Sequence, residues 1–194
     1  MSYINELLKK DCFPQLHPLF VKSNNPEKEI SESMAALKHL SSFVKIIDET
    51  MNFHIGDGRY CRTAALFTFL TKSWNTSIDP IINVARVTVW ENEEKVNDHF
   101  DIFAGKFQDY EWEDREKPCN LVCVHSHIVL KDLIKHFPHW RYLYTNPCCN
   151  PRQQIFDIQT LKQNNISVLL AGADNKILSE KNEVYLYRNN NEVK

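Results

Sequence analysis

Two hydrophobic periods alternate along the chain, and their alternation outlines a fold. From Glu27 onward the apolar residues Ile30, Met34, Leu37, Leu40, Val44 and Ile47 recur at three- and four-residue steps. That spacing predicts one apolar face of a helix of about five turns. Residues 51–55 then read as a short strand, interrupted by a turn at Gly56-Asp57-Gly58. Residues 59–74 read as a helix whose Ala64, Ala65, Leu66, Phe67, Phe69 and Leu70 give a largely buried face. A short strand at 76–79 is stopped by Pro80. Residues 84–90 fit a helix end or a strand, and 100–107 read as a strand before the polar and aromatic run 108–116. The compact apolar run 121–124 is of the kind found in central parallel strands. A helix at 129–137, a strand at 141–145 closed by Asn146-Pro147, a helix at 152–163 and strands at 166–171 and 184–187 complete the pattern.

Strands that alternate with helices predict a mostly parallel sheet covered on both faces, an α/β Rossmann-like three-layer sandwich of seven strands. The last two strands are joined by only about a dozen residues, too few for a crossover helix, so they are expected to be antiparallel at the sheet edge. Residues 1–26, broken by Pro14, Pro18 and Pro26, are read as a short helix and an irregular arm packed on a domain formed by 27–194. The polar residues 189–194 are expected to fray.

Composition narrows the function classes. A chain of 194 residues suits one domain with a real core, and a formal net charge of −2 provides no global basic field for nucleic acid. No apolar run reaches the roughly 18 residues of a membrane span, and the charged first ten residues do not resemble a signal peptide. An intracellular setting, cytoplasmic or nuclear, is expected, with the six cysteines as thiols rather than a disulfide framework. Glycine is scarce: of the four in the chain, two stand in Gly56-Asp57-Gly58.

That tripeptide, between a strand and a helix, is the strongest chemical signal. A tight strand-to-helix turn needs glycine where a side chain would clash, and it exposes backbone N–H groups at the positive helix end. Such a turn welcomes an anion or the edge of a nucleoside cofactor. Some twenty residues on, Asp79 ends the next strand, where a carboxylate can accept hydrogen bonds from both ribose hydroxyls. The bland reading is a plain turn with Asp79 as a cap. Arg59 and Arg62 sit against the helix dipole and call for anionic compensation; for Arg62 a structural partner such as Asp57 or Asp79 is expected.

The order of elements, the glycine loop and Asp79 resemble the S-adenosylmethionine-dependent methyltransferases of the class I, Rossmann-like type. The resemblance covers roughly residues 51–188. It implies that Gly56, Asp57 and Gly58 approach the methionine part of the cofactor, Asp79 the ribose, and Gln108 or Asp109 the adenine. Two positions depart from the pattern: His54 stands where the family has an acid, and Tyr60 where a third glycine is common.

A second constellation, His125-Ser126-His127 and Asn146-Pro147-Cys148-Cys149-Asn150, follows the next two strands and should face the same crevice. It resembles, over a few residues, a methyltransferase subgroup that includes a tRNA 2′-O-methyltransferase. His125 or His127 is a candidate general base and Asn146 a candidate for orienting an acceptor. The competing reading leaves one histidine half-buried and the other solvated. Zinc held by His125, His127, Cys148 and Cys149 is disfavoured because adjacent cysteines rarely reach one ion together, and a cysteine nucleophile has no further support. Phe107, Tyr110, Trp112 and Trp90 are candidates for stacking on a base, or simply for packing.

These residues point to S-adenosylmethionine-dependent methyl transfer to a nucleic acid, RNA in particular, or to a small molecule. The alternative is a catalytically inactive protein of the same fold that serves as a binding or scaffold subunit beside a protein partner. A nicotinamide dinucleotide fold would need a third glycine that is absent here.

Overall fold

In the computed structural model, which describes residues 2–43, 50–96, 98–113, 116–148 and 151–192, the strand signals become one seven-stranded sheet. The strands are β1 (Met51–Ile55), β2 (Trp74–Ile78), β3 (Phe100–Phe103), β4 (Cys119–Val124), β5 (Trp140–Asn146), β6 (Ile166–Ala173) and β7 (Glu183–Asn189). Their order is β3-β2-β1-β4-β5-β7-β6, parallel except for β7, which runs antiparallel to both β5 and β6.

The alternation of side chains along each strand builds two cores. Val122, Tyr144, Val184 and Leu186 point to one face, while Leu121, Cys123, Leu143 and Tyr187 point to the other. The first face is covered by α1 (Tyr3–Leu7), α2 (Phe13–Phe20), α3 (Pro26–Phe43), α4 (Arg62–Leu70) and α5 (Val84–Glu94). The second is covered by α6 (Leu130–His136), α7 (Ile158–Gln163) and the aromatic residues Phe107 and Trp112. Among the described residues no helix is long and apolar enough to cross a membrane.

Register at the sheet centre is pinned by amides. Asn120 Nδ2 donates to Asn52 Oδ1 and Asn52 Nδ2 to Asn75 Oδ1, each at 3.0 Å, between residues that are direct partners on β4, β1 and β2. All three are buried, so a slip of one residue would strand polar groups in the core.

Several expected boundaries move for identifiable reasons. The helix after the glycine turn ends at Leu70, not at 74, because the backbone N–H and the hydroxyl of Thr71 both fold back on Phe67 O; Trp74 instead opens β2. β3 ends at Phe103, where Gly105 N turns back on Phe103 O and a 3-10 turn follows at Phe107–Asp109. Residues 84–90 belong to a helix, capped by Asn83. The helix expected over 152–163 starts only at Ile158, since Asp157 caps it. The arm is not irregular: Leu7, Leu16, Leu19 and Phe20 are buried, and Trp90 Nε1 ties α5 to Gln15 O at 2.7 Å. Nor do residues 189–192 fray, because Asn165 donates to Asn191 Oδ1 and His139 Nδ1 lies 3.1 Å from Glu192. Val44, Ile47 and Cys149 fall outside the described residues.

Candidate functional site

β1 leaves the sheet through Gly56 and Gly58, both at φ +73°. The two glycines are required for different reasons. A Cβ on Gly56 would lie 2.6 Å from Ser126 Cβ, so the 125–127 segment packs on bare backbone there. A Cβ on Gly58 would meet nothing within 4 Å, and only its φ demands glycine. Gly58 N donates to Asp79 Oδ2 at 3.0 Å, and Asp79 Oδ1 accepts from Ile81 N at 2.9 Å. The turn and the carboxylate at the tip of β2 are therefore in contact, as the motif reading requires.

Asp57 behaves otherwise. Its carboxylate turns inward, accepting from Thr63 N and Ala64 N, both at 2.9 Å, and from Ser77 Oγ at 3.2 Å. The N-terminus of α4, expected to welcome an external anion, is capped by the chain's own acid. Burial pushes the Asp57 carboxyl up to about 6, against the pull of those hydrogen bonds. Arg62 also finds other partners than expected: Leu19 O at 2.9 Å, Glu29 at 3.5 Å and the face of Tyr60 at 5.0 Å. His54 points into the core, with Nε2 3.1 Å from Asn75 Oδ1 and its ring edge-on to Phe67; burial pulls it down to about 4.

At the carboxyl ends of β1, β2 and β4 lies a pocket of about 460 Å³. Gly56, Asp79, Phe107, Gln108, His125 and Ser126 are among its walls. Asp57, Gly58, Asp109 and Asn146 are not; Asp109 is exposed on the 3-10 turn. The volume falls in the range of about 300–1,000 Å³ usual for small-molecule sites. Ile55, Ile78 and Phe107 make it apolar on one side, Asp79 supplies an anionic edge, and Ser126 Oγ is a buried hydroxyl with no partner among the described residues. These walls fit a nucleoside with ribose hydroxyls to donate.

A second pocket, of about 500 Å³, shares His125 and His127 with the first and adds Asn25, Lys28, Cys148 and Lys181. His125 sits at φ +51°, and its Nε2 lies 2.5 Å from Glu32 Oε1 on α3. Lys28 Nζ is 3.1 Å from the same carboxylate oxygen. His127 Nε2 lies 3.5 Å from Cys148 Sγ, and among the described residues no group of three or more His, Cys, Asp or Glu is placed to hold a metal ion. Asn146 is fully buried: its Nδ2 donates to Lys181 O and Glu183 O, and its own carbonyl accepts from His125 N at 3.1 Å. Its contact with the site thus runs through backbone. Tyr110 and Trp112 pack edge-on against Phe53, and Trp90 against Phe69 and Phe100, so of the aromatic candidates Phe107 alone lines the first pocket. Sequence reasoning missed Glu32, Lys28 and Lys181. The available signal for Glu32 was an acid within the apolar stretch of a helix, between Ile30 and Met34.

No family model matches the sequence, and no curated protein matches it significantly. Solved structures do match. The N-methyltransferase NodS from Bradyrhizobium japonicum aligns with 86% of this chain and 98% of its own at TM-score 0.55 and 14% identity. This chain has the class I S-adenosylmethionine-dependent methyltransferase fold. A Pyrococcus horikoshii protein provisionally described as an RNA methyltransferase aligns with 93% of this chain and 98% of its own, at TM-score 0.58 and 14% identity. MtNAS in complex with S-adenosylmethionine aligns with 96% of this chain and 74% of its own, at TM-score 0.56 and 11% identity.

Proposed function

We propose that this chain binds S-adenosylmethionine in the pocket beside Gly56 and transfers its methyl group to an acceptor, an RNA or a small molecule, held in the adjoining pocket. The observation that carries the reading is the junction of the two pockets at His125 and His127. When bound, the cofactor supplies an electrophilic methyl group. Asp79 would accept from the ribose hydroxyls, since a carboxylate has about four lone-pair sites and two are taken here. Phe107 would pack on the adenine and Gln108 would hydrogen-bond its edge. His125, on the shared wall, would receive the proton of the acceptor. MtNAS is seen with S-adenosylmethionine and a Pyrococcus horikoshii TYW2 with MeSAdo, which supports the same ligand class here.

One observation favours the non-catalytic alternative, a binding subunit with a protein partner: Asp57 and Gly58, expected to face the cofactor, are bonded to the chain's own groups. Calorimetric titration separates the readings. S-adenosylmethionine and S-adenosylhomocysteine are expected to bind, NAD to be refused, and Asp79→Ala to weaken binding by about 2 kcal/mol or more, the scale of lost hydrogen bonds to a charged group. Transfer of a labelled methyl group to RNA or small molecules then marks the enzyme; binding of neither adenosyl compound removes the proposal.

A further inference from the structure

Glu32 is the most buried acid near either pocket, with a side chain 1% exposed, and it is not solvated away from its neighbours but held between Lys28 and His125. A carboxylate so placed is costly unless it is paired and hydrogen-bonded. It reaches across from α3 to a residue 93 positions later, at the point where the two pockets meet. His125 is in turn held at two ends. Its ring is bonded to Glu32, and its backbone, in a left-handed conformation that a residue with a β-carbon rarely adopts, is bonded to Asn146 O.

We infer that Glu32 is a positioning residue for His125, and that the site is thereby built for an acceptor whose nucleophilic atom carries a proton, a hydroxyl or an ammonium. The inference rests on the methyl-transfer reading above. A carboxylate that accepts the hydrogen of Nε2 selects the imidazole tautomer whose lone pair is on Nδ1. Nδ1 makes no hydrogen bond among the described residues. In the step, the O–H or N–H bond of the acceptor breaks and its proton passes to Nδ1. The electron pair released forms the bond to the methyl carbon of a sulfonium donor, and the carbon–sulfur pair returns to sulfur, leaving a thioether. The imidazolium so formed is paired by Glu32. The other titratable groups around His125 are Lys28 on α3, His127 beyond β4, Cys148 beyond β5, Glu180 and Lys181 in the link between β6 and β7, and Asp79, Lys106 and Asp132 across the first pocket.

Nuclear magnetic resonance of the full chain labelled with 15N-histidine tests the link without any turnover. A far-downfield imidazole proton is expected, assigned by its loss in His125→Gln. It should also vanish in Glu32→Met, which removes the acceptor at similar volume, and move upfield in Glu32→Gln, where the acceptor is neutral. The affinity of Glu32→Gln for S-adenosylhomocysteine should stay within about twofold of native, whereas Asp79→Ala weakens it about thirtyfold or more. A native protein without that resonance, or a Glu32→Gln protein in which it does not move, overturns the inference. Failure of every form to bind S-adenosylhomocysteine strikes instead at the cofactor reading. With labelled donor and a panel of hydroxyl, primary-amine, thioether and tertiary-amine acceptors, incorporation into hydroxyls or primary amines is expected, with kcat at least about tenfold lower in Glu32→Gln. Incorporation only into the thioether or tertiary amine, whose nucleophilic atoms carry no hydrogen, contradicts the stated acceptor class.

Discussion

Asp57 and His54, which flank the end of β1, titrate in opposite senses. His54 is pulled from its ordinary 6.5 to about 4 by burial, with the Asn75 hydrogen bond opposing. A lowered folded value means stability that is present above 6.5 and lost as pH falls toward 4, up to about 3 kcal/mol. Asp57 is pushed from 3.8 to about 6, so it contributes stability below 3.8 that is lost as pH rises toward 6, again about 3 kcal/mol. The two slopes offset each other in the native chain. Urea denaturation across pH 4 to 7 is expected to tilt one way in His54→Gln, which keeps only the fall of stability with rising pH, and the other way in Asp57→Asn, which keeps only the fall with acid. Parallel curves for all three proteins would contradict these assignments. Neither shift was legible in the sequence. His54 read as a departure from an acidic motif position, and only its packing between Asn75 and Phe67 shows it to be a neutral core group. Gly56 and Asp79 were legible, because each is fixed by a local backbone need at a strand end. Glu32 was not, because its meaning depends on a partner far away in sequence.

At the scale of elements, the connection from β1 to α4 concentrates what the site requires. Its two glycines invite a direct comparison. Gly56→Ala adds a collision with Ser126 to a positive-φ cost of roughly 1–2 kcal/mol, whereas Gly58→Ala carries only that second cost. Thermal denaturation should therefore rank Gly56→Ala clearly below Gly58→Ala, with the 125–127 segment displaced in the former; equal melting temperatures would show that the packing of that segment on β1 is loose. Element type was readable where a helical period ran long, as at α3, or where a compact apolar run stood out, as at β4. The errors came where short polar groups decide an end: Thr71 closing α4, Asp157 delaying α7 and Asn83 starting α5. α3 itself misled in one respect. The sequence shows one apolar face, but α1 and α2 cover the other side, so residues 30–37 are buried almost all round and an acid among them becomes a functional candidate.

For the whole molecule, the strand order reverses between β1 and β4, and an open parallel sheet binds ligands at that reversal on the carboxyl side. The first pocket lies there, and α3 supplies Lys28 to the wall of the second pocket and Glu32 as the partner of His125, which both pockets share. The two compartments are thus a product of topology plus one helix that precedes the sheet in the chain. Sequence pattern reached the mostly parallel seven-stranded sheet and its antiparallel last pair, because the link between the final strands is too short for a crossover; the strand order came only with the structure. It did not reach the second compartment, whose walls come from four distant segments. The proposed function requires the hollow beside Gly56 to receive an adenosyl group. A structure determined with saturating S-adenosylhomocysteine tests it most directly. The account predicts the ribose on Asp79, the adenine against Phe107 and the sulfur facing His125; a crevice still vacant, or the ligand lodged elsewhere, would contradict it.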